Sequence, residues 1–221
     1  MLKTMKRQVS IIMMAILFSP AIIAAPQDDR AAEILDNFSE VINSAPSVLI
    51  DFTFIVSSLR DDTQEEFSGN MVMKGSKYRL ETMEMVSWFD GTSVYTYMPD
   101  VDEIIISDPD NNGGIFANPV NIFKIYQEEF RYRLIGESRH DGRVLYEIDL
   151  HPLDLDQEFH TVKLFIEKDG NFLHSAVIAA KDGTRYTLLV NKYDTEQQLP
   201  PDFFAFSEDD YPGVEIIDMR W

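Results

Sequence analysis

The stretch that decides the fold is "TVKLFIEKDGNFLHSAVIAAKDGTRYTLLVNKY", residues 161–193. Three runs rich in β-forming residues are joined there by two Asp-Gly pairs, Asp169-Gly170 and Asp182-Gly183. An Asp-Gly pair between two apolar runs is one of the strongest short-range signals for a β-hairpin. The stretch therefore predicts three antiparallel strands in sequential order.

The same two-residue period runs through most of the chain. In the first three predicted strands, the apolar residues that share one face are Val48, Ile50, Phe52, Phe54, Val56, Phe67, Met71, Met73, Tyr78 and Leu80. In total the sequence predicts about eleven strands in meander order, hence a sheet that is antiparallel throughout. No linker rich in Gly, Pro or Ser divides the chain, which predicts one domain.

Two short helices interrupt the strand pattern. Residues 29–43 place Ala32, Leu35, Phe38 and Ile42 at helical spacing, with Asp28 or Asp29 as N-cap. A second helix is predicted from about Pro119 to Glu129, with Asn118 as N-cap. Its apolar side consists of Ile122, Phe123, Ile125 and Tyr126. Because so long a sheet cannot bury its apolar face against two short helices unless it curls, we expect an incomplete barrel, or half-barrel, with helices over its mouth.

The N-terminus predicts export. Residues 1–25 combine a basic start (Lys3, Lys6 and Arg7), an apolar run too short to span a membrane stably, and small residues suited to cleavage near Ala24 or Ala25. We expect a cleaved signal peptide, an exported protein and a mature domain of residues 26–221; an uncleaved N-terminal anchor is the alternative. The sequence contains no cysteine, so no lipid-attachment cysteine and no disulfide are expected.

The charge of the chain excludes some partners. The first 25 residues hold three of the 19 basic side chains and none of the 38 acidic ones, so residues 26–221 carry 16 basic and 38 acidic groups, a formal charge of −22. A surface this acidic repels phosphate backbones and anionic lipid headgroups. We therefore expect no nucleic-acid binding and no electrostatic docking onto a membrane.

No catalytic or metal-binding motif stands out. The four histidines, His140, His151, His160 and His174, lie on separate strands or loops without metal-ligand spacing. The loop "DPDNNG", residues 108–113, resembles the start of a calcium-binding loop, but position 12, which requires a bidentate Glu, is Pro119. No glycine-rich phosphate loop follows a strand. We expect a protein that is not an enzyme and needs no cofactor or metal.

The segment "SWFDGTSVYTYMPDVDEIII", residues 87–106, carries a family resemblance. It resembles the signature hairpin of the periplasmic outer-membrane lipoprotein carrier (LolA) family. The residues that fall on the family pattern are Asp90, Gly91, Tyr95, Tyr97, Pro99 and Glu103. Two further segments, "GNMVMKGSKYRLE" (69–81) and "LPPDFFAFSEDDYPGVEIID" (199–218), resemble the family's strand pair and its C-terminal ending, in the right order.

The resemblance implies a half-barrel whose concave face holds the acyl chains of lipoproteins. A carrier of this kind takes its cargo from an inner-membrane release complex and ferries it, as a monomer, to an outer-membrane acceptor that the sequence does not identify. We expect the cavity wall to comprise Phe52, Phe54, Met71, Met73, Tyr78 and Leu80, with Ile122, Phe123 and Tyr126 on the lid. Lys74 stands where some members latch the lid with Arg, and Gly75 follows it instead of Pro.

The sequence leaves open whether the protein is a carrier or a sensor, and whether Tyr95 or Thr96 faces the cavity. A sensor or scaffold built on the same half-barrel, which reads envelope lipids or a partner protein, would use the same apolar concavity. Flexible methionines suit an adaptable pocket, so Met83 and Met85 are expected in the pocket as well. Strand parity does not decide whether Tyr95 or Thr96 faces the cavity.

Overall fold

The computed structural model describes residues 28–58, 60–109 and 129–220. The predicted signal peptide, almost all of the second predicted helix with Ile122, Phe123 and Tyr126, and the calcium-like loop from Asp110 onward lie outside these residues. Helix α1 spans Asp29–Ser44. The strands are β1 (Val48–Ser58), β2 (Thr63–Lys74), β3 (Lys77–Thr82), β4 (Val86–Phe89), β5 (Val94–Met98), β6 (Glu103–Ser107), β7 (Phe130–His140), β8 (Arg143–Pro152), β9 (Phe159–Glu167), β10 (Leu173–Ala180), β11 (Thr184–Asp194) and β12 (Glu215–Asp218).

The twelve strands of the described residues form one open sheet in the order β12-β6-β5-β4-β3-β2-β1-β11-β10-β9-β8-β7. The predicted half-barrel and both Asp-Gly hairpins are confirmed, with Gly170 and Gly183 at positive φ in their turns. The expectation of a wholly antiparallel sheet is wrong, because β12 pairs with β6 in parallel. Residues 195–214 bring the chain back to the β6 edge, and a connection this long allows a parallel crossover.

The strand order leaves the described sheet with two edges, at β12 and β7. Residues 108–129 connect β6, the neighbour of the edge strand β12, to β7, which is the other edge strand. The last residue of β6, Ser107, pairs with Val94, at the end of the sheet where β1 begins with Val48. Strand β7 begins beside Pro152, at the opposite end of the strands. The chain therefore re-enters the sheet at the far edge and at the far end.

Helix α1 packs on one side of the sheet, which we call its inner face. Its buried residues are Ala31, Ile34, Leu35, Phe38 and Ile42. The helical spacing predicted Ala32 on this side, but Ala32 is only half-buried. The preceding residue, Ala31, takes the buried position instead. The predicted N-cap is confirmed: Asp28 Oδ1 accepts hydrogen bonds from the backbone N–H groups of Arg30 and Ala31, both at 3.1 Å.

Asp28 also ties the helix to the edge of the sheet. Its Oδ2 accepts a hydrogen bond of 3.0 Å from the backbone N–H of Leu134 on β7. The bonds from Ala31 and Leu134 are the main reason why the pKa of Asp28 lies below its ordinary value of 3.8. One carboxylate thus caps the helix and fixes its start against strand β7.

Asp28→Ala should lower the free energy of unfolding by about 1–2 kcal/mol at pH 7, since the cap is lost. Because the folded-state pKa is depressed, this stabilisation is fully present above pH 3.8 and disappears as the pH falls through the lower folded value. Urea unfolding at pH 7 and at pH 3 measures both effects, with Asp29→Ala as the control. A difference of the same size at both pH values would contradict the assigned ionic role.

Candidate functional site

The inner face carries one continuous apolar cluster, and all six predicted wall residues contribute to it. Five of the six, Phe52, Met71, Met73, Tyr78 and Leu80, are at most 4% exposed. Phe54 is half-buried and stacks on Tyr186 at a centroid distance of 6.1 Å. The cluster also contains the buried side of α1, so the helix and these strands share one apolar core. Their role as the wall of an acyl-binding cavity stays a prediction.

Two other expectations concern residues near this cluster. Met85 packs against it, but Met83 is 95% exposed in the turn between β3 and β4, so its expected place in the pocket is wrong. Thr82 Oγ1 accepts backbone hydrogen bonds from Glu84 and Met85, and this local turn directs Met83 outward. Lys74 is exposed at the end of β2, and the lid that it would latch lies outside the described residues.

The aromatic bulk of residues 87–106 lies on the opposite, outer face. Register places Trp88 beside Tyr95, and their rings stack at 5.7 Å. The C-terminal segment, residues 195–220, covers them: the Phe206 ring lies 4.7 Å from Tyr95 and the Tyr211 ring 6.0 Å from Trp88. Thr96 alternates to the inner face, where its hydroxyl donates to Ser87 Oγ at 3.3 Å. The question left open by parity is thus answered in favour of Thr96.

The family-pattern residues of this hairpin have structural roles. Asp90 Oδ1 accepts backbone hydrogen bonds from Thr92 and Ser93, which builds a tight turn with Gly91 at φ +104°. The Tyr95 hydroxyl donates to Asp90 Oδ2 at 3.2 Å, and that of Tyr97 donates to Asp102 Oδ1 at 3.2 Å. Burial, followed by the Asp90 carboxylate, raises the pKa of Tyr95. These residues hold the turns and the outer aromatic layer together.

A groove of about 650 Å³ opens where the C-terminal end of α1 meets the sheet. Its apolar lining residues are Val41, Ala45, Pro46 and Phe172, and its polar lining residues are Ser44, Thr195, Glu196, Gln197 and Gln198. The polar side is held in place, because the buried Ser47 hydroxyl donates to the carbonyl of Gln197 at 2.8 Å. The Gln197 amide in turn donates to Asp194 Oδ2 at 2.7 Å. The groove therefore has an apolar wall and a fixed polar rim.

Tyr193, next to this groove, was missed by the sequence analysis. Its ring packs on Phe172 at 4.8 Å and contacts the inner cluster. The alternation of Tyr186, Leu188 and Val190 would send Tyr193 outward, but a bulge between Asp51 and Phe52 in the β1–β11 pairing reverses the parity. The hydroxyl oxygen is buried, and no described residue makes a well-formed hydrogen bond with it, although the backbone of Leu173 lies close.

The histidines form two pairs that their separation in sequence did not predict. The rings of His140 and His174 lie 5.3 Å apart, and burial, followed by the charge of His140, lowers the pKa of His174. His151 and His160 meet around the Thr161 hydroxyl. Within residues 28–58, 60–109 and 129–220, no group of three or more potential ligands is arranged to hold a metal ion. None of the helices described there is long and apolar enough to cross a membrane.

Comparison with known proteins supports the fold. No protein-family model and no curated protein matches this sequence. An uncharacterized conserved protein from Thermus thermophilus has a similar structure, with a TM-score of 0.61 and 15% identity over 86% of this chain and 99% of that one. A putative outer membrane lipoprotein-sorting protein domain from Vibrio parahaemolyticus matches with a TM-score of 0.52 and 8% identity, over 80% of this chain and 97% of that one.

A third structure, a DUF1329 family protein from Desulfovibrio piger, matches over 85% of this chain and 100% of that one, with a TM-score of 0.51 and 10% identity. Identities this low establish a shared fold and nothing finer. The fold is an open, curled sheet with a helix on its inner face, and one of the proteins that share it is described as a lipoprotein-sorting domain. At the level of the fold, the resemblance to the lipoprotein carrier family is confirmed.

Proposed function

We propose that this protein is a periplasmic carrier that binds the acyl chains of lipoproteins on its inner face and moves them from the inner to the outer membrane. The observation that supports the proposal most is the continuous apolar cluster on the inner face of a sheet whose described strands do not close into a barrel. Such a face can take up an apolar ligand by separating from the helix that covers it.

The energetics favour a binding protein over free diffusion. Exposure of an acyl chain to water costs about 0.8 kcal/mol per methylene, so a triacylated protein cannot cross an aqueous compartment unaided. A site that buried every methylene would never release its cargo. An adaptable face that includes the buried Met71 and Met73 fits a ligand that must be both bound and released.

The acidic surface is consistent with this role. With a formal charge of −22 on residues 26–221, the carrier is repelled by anionic membrane surfaces and stays free to diffuse between them. The proposed role is binding without catalysis, and it requires neither a cofactor nor a metal. The proposed partners are acylated lipoproteins, an inner-membrane release complex and an outer-membrane acceptor of unknown identity.

Binding of a fluorescent fatty-acyl probe to the purified mature protein tests the proposal. Phe54→Gln, which places an amide on the inner face, should weaken binding at least fivefold, because a desolvated amide without a partner is costly. Ile55→Gln changes the neighbouring residue on the outer face and should leave binding within twofold. Equal affinity of both folded variants, or no binding by the wild type, would contradict the proposal.

Depletion in cells separates a carrier from a sensor on the same fold. Loss of a carrier should leave lipoproteins at the inner membrane. Loss of a sensor should change gene expression while lipoproteins remain correctly sorted, and this result would favour the alternative.

A further inference from the structure

We infer that the groove at the end of α1 is the entrance for an ester-linked acyl chain, and that the Tyr193 hydroxyl donates a hydrogen bond to its ester carbonyl. The inference rests on the proposed function and names a polar contact within the same inner face. It assigns a role to a buried hydroxyl that the packing of the fold does not explain.

The oxygen of the Tyr193 hydroxyl is buried, and it makes no well-formed hydrogen bond with a described residue. The nearby Leu173 backbone N–H can only donate to the Tyr193 oxygen, so the O–H proton has no acceptor among the described residues. A buried donor in this state costs about 1–3 kcal/mol, so such groups are rare unless a ligand or another group accepts from them. Tyr193 lies opposite Ile50 in the β1–β11 pairing, among fully buried apolar side chains such as Leu173. Burial raises the pKa of the Tyr193 phenol, so the group stays a hydroxyl, and hence a donor, at neutral pH.

The groove lies next to Tyr193. Phe172 lines it, and the Phe172 and Tyr193 ring centroids lie 4.8 Å apart, so the Phe172 ring contacts both the groove and Tyr193. A Cβ atom at Gly170 would lie 2.9 Å from the Phe172 ring, so the glycine makes room for this ring at the turn. Movement of Phe172 would join the groove to the inner face.

The groove is lined by apolar residues on one side and by polar residues on the other. An acyl chain with an ester at its head needs apolar contacts along the chain and polar contacts where the chain joins the rest of the molecule. Val41, Ala45 and Pro46 provide the former, and the fixed rim at 195–198 provides the latter. The volume of about 650 Å³ lies within the range of small-molecule sites.

Two matched probes test the role of the hydroxyl. A fluorescent diacylglycerol with ester linkages offers a carbonyl to Tyr193, and the dialkyl ether analogue with the same chains does not. Tyr193→Phe should leave the stability unchanged or slightly higher, because the orphaned hydroxyl is removed. The variant should bind the ester probe about two- to tenfold more weakly and the ether probe as well as the wild type does.

A second pair of variants tests the entrance. Ser44→Trp places a large ring in the groove and should slow and weaken binding of both probes, whereas Asn43→Trp, one residue earlier on α1 and outside the groove lining, should not. If the wild type binds both probes but neither Tyr193→Phe nor Ser44→Trp changes binding, this inference is overturned and the carrier proposal stands. If the wild type binds neither probe, both are overturned.

Discussion

Trp88→Ala should lower the free energy of unfolding by about 3–5 kcal/mol, the range for removal of a buried aromatic side chain. Trp88 is 2% exposed, lies within 6.0 Å of the Tyr95, Phe206 and Tyr211 rings, and has the Arg79 guanidinium 5.9 Å from its centroid. Because this ring contacts both the sheet and the C-terminal segment, its loss removes the largest buried side chain between them and leaves the Tyr95–Phe206 contact and the β12–β6 pairing to hold the segment.

The second consequence of Trp88→Ala is local. The C-terminal segment should become the first part of the chain to exchange its amide hydrogens, since its aromatic anchors lose their platform. Trp88→Phe keeps a ring at the site and is the control, with a smaller loss of stability. Urea unfolding together with hydrogen exchange measures both effects. A loss below about 1 kcal/mol, well under the range for such a truncation, or exchange that increases equally throughout the sheet, would contradict the assigned role of Trp88.

Phe38→Ala should cost a similar amount, about 3–5 kcal/mol, but on the inner face of the sheet. Phe38 has no exposed surface and lies in the middle of the buried stripe of α1, within the apolar cluster. Its removal leaves a cavity between the helix and the sheet that the long strands cannot close.

Asn37→Ala is the matched control for Phe38→Ala, because Asn37 precedes Phe38 on α1 and is exposed. It should be neutral or slightly stabilising, as alanine has the higher helix propensity. Urea unfolding of both variants checks the expectation. Similar losses for the two would show that α1 is not packed as described.

Local signals account for the parts of the fold that the sequence predicted. The Asp-Gly turns fix hairpins β9–β10 and β10–β11 without help from distant residues, and the Asp28 cap starts α1 at the predicted position. The inner-face residues of β1 to β3 follow from strict alternation, because one side of these strands is buried.

Long-range packing accounts for what the sequence did not predict. Strand β12 owes its parallel pairing to the course of residues 195–214, which no periodicity encodes. Trp88 and Tyr95 face outward because the C-terminal segment covers them, whereas Phe89 packs on the inner cluster. The alternation of side chains along a strand does not say which face will be covered. Tyr193 faces inward because of a bulge, and a single extra residue in the pairing leaves no mark in composition.

Native mass spectrometry of the protein exported and purified from cells that also produce lipoproteins tests the central claim most directly. We expect part of the population to carry the mass of one acylated lipoprotein, and the ester- and amide-linked chains to be required for that complex. A protein that is folded but shows only the mass of the polypeptide, both as isolated and after incubation with detergent-solubilised triacylated lipoprotein, would contradict the account.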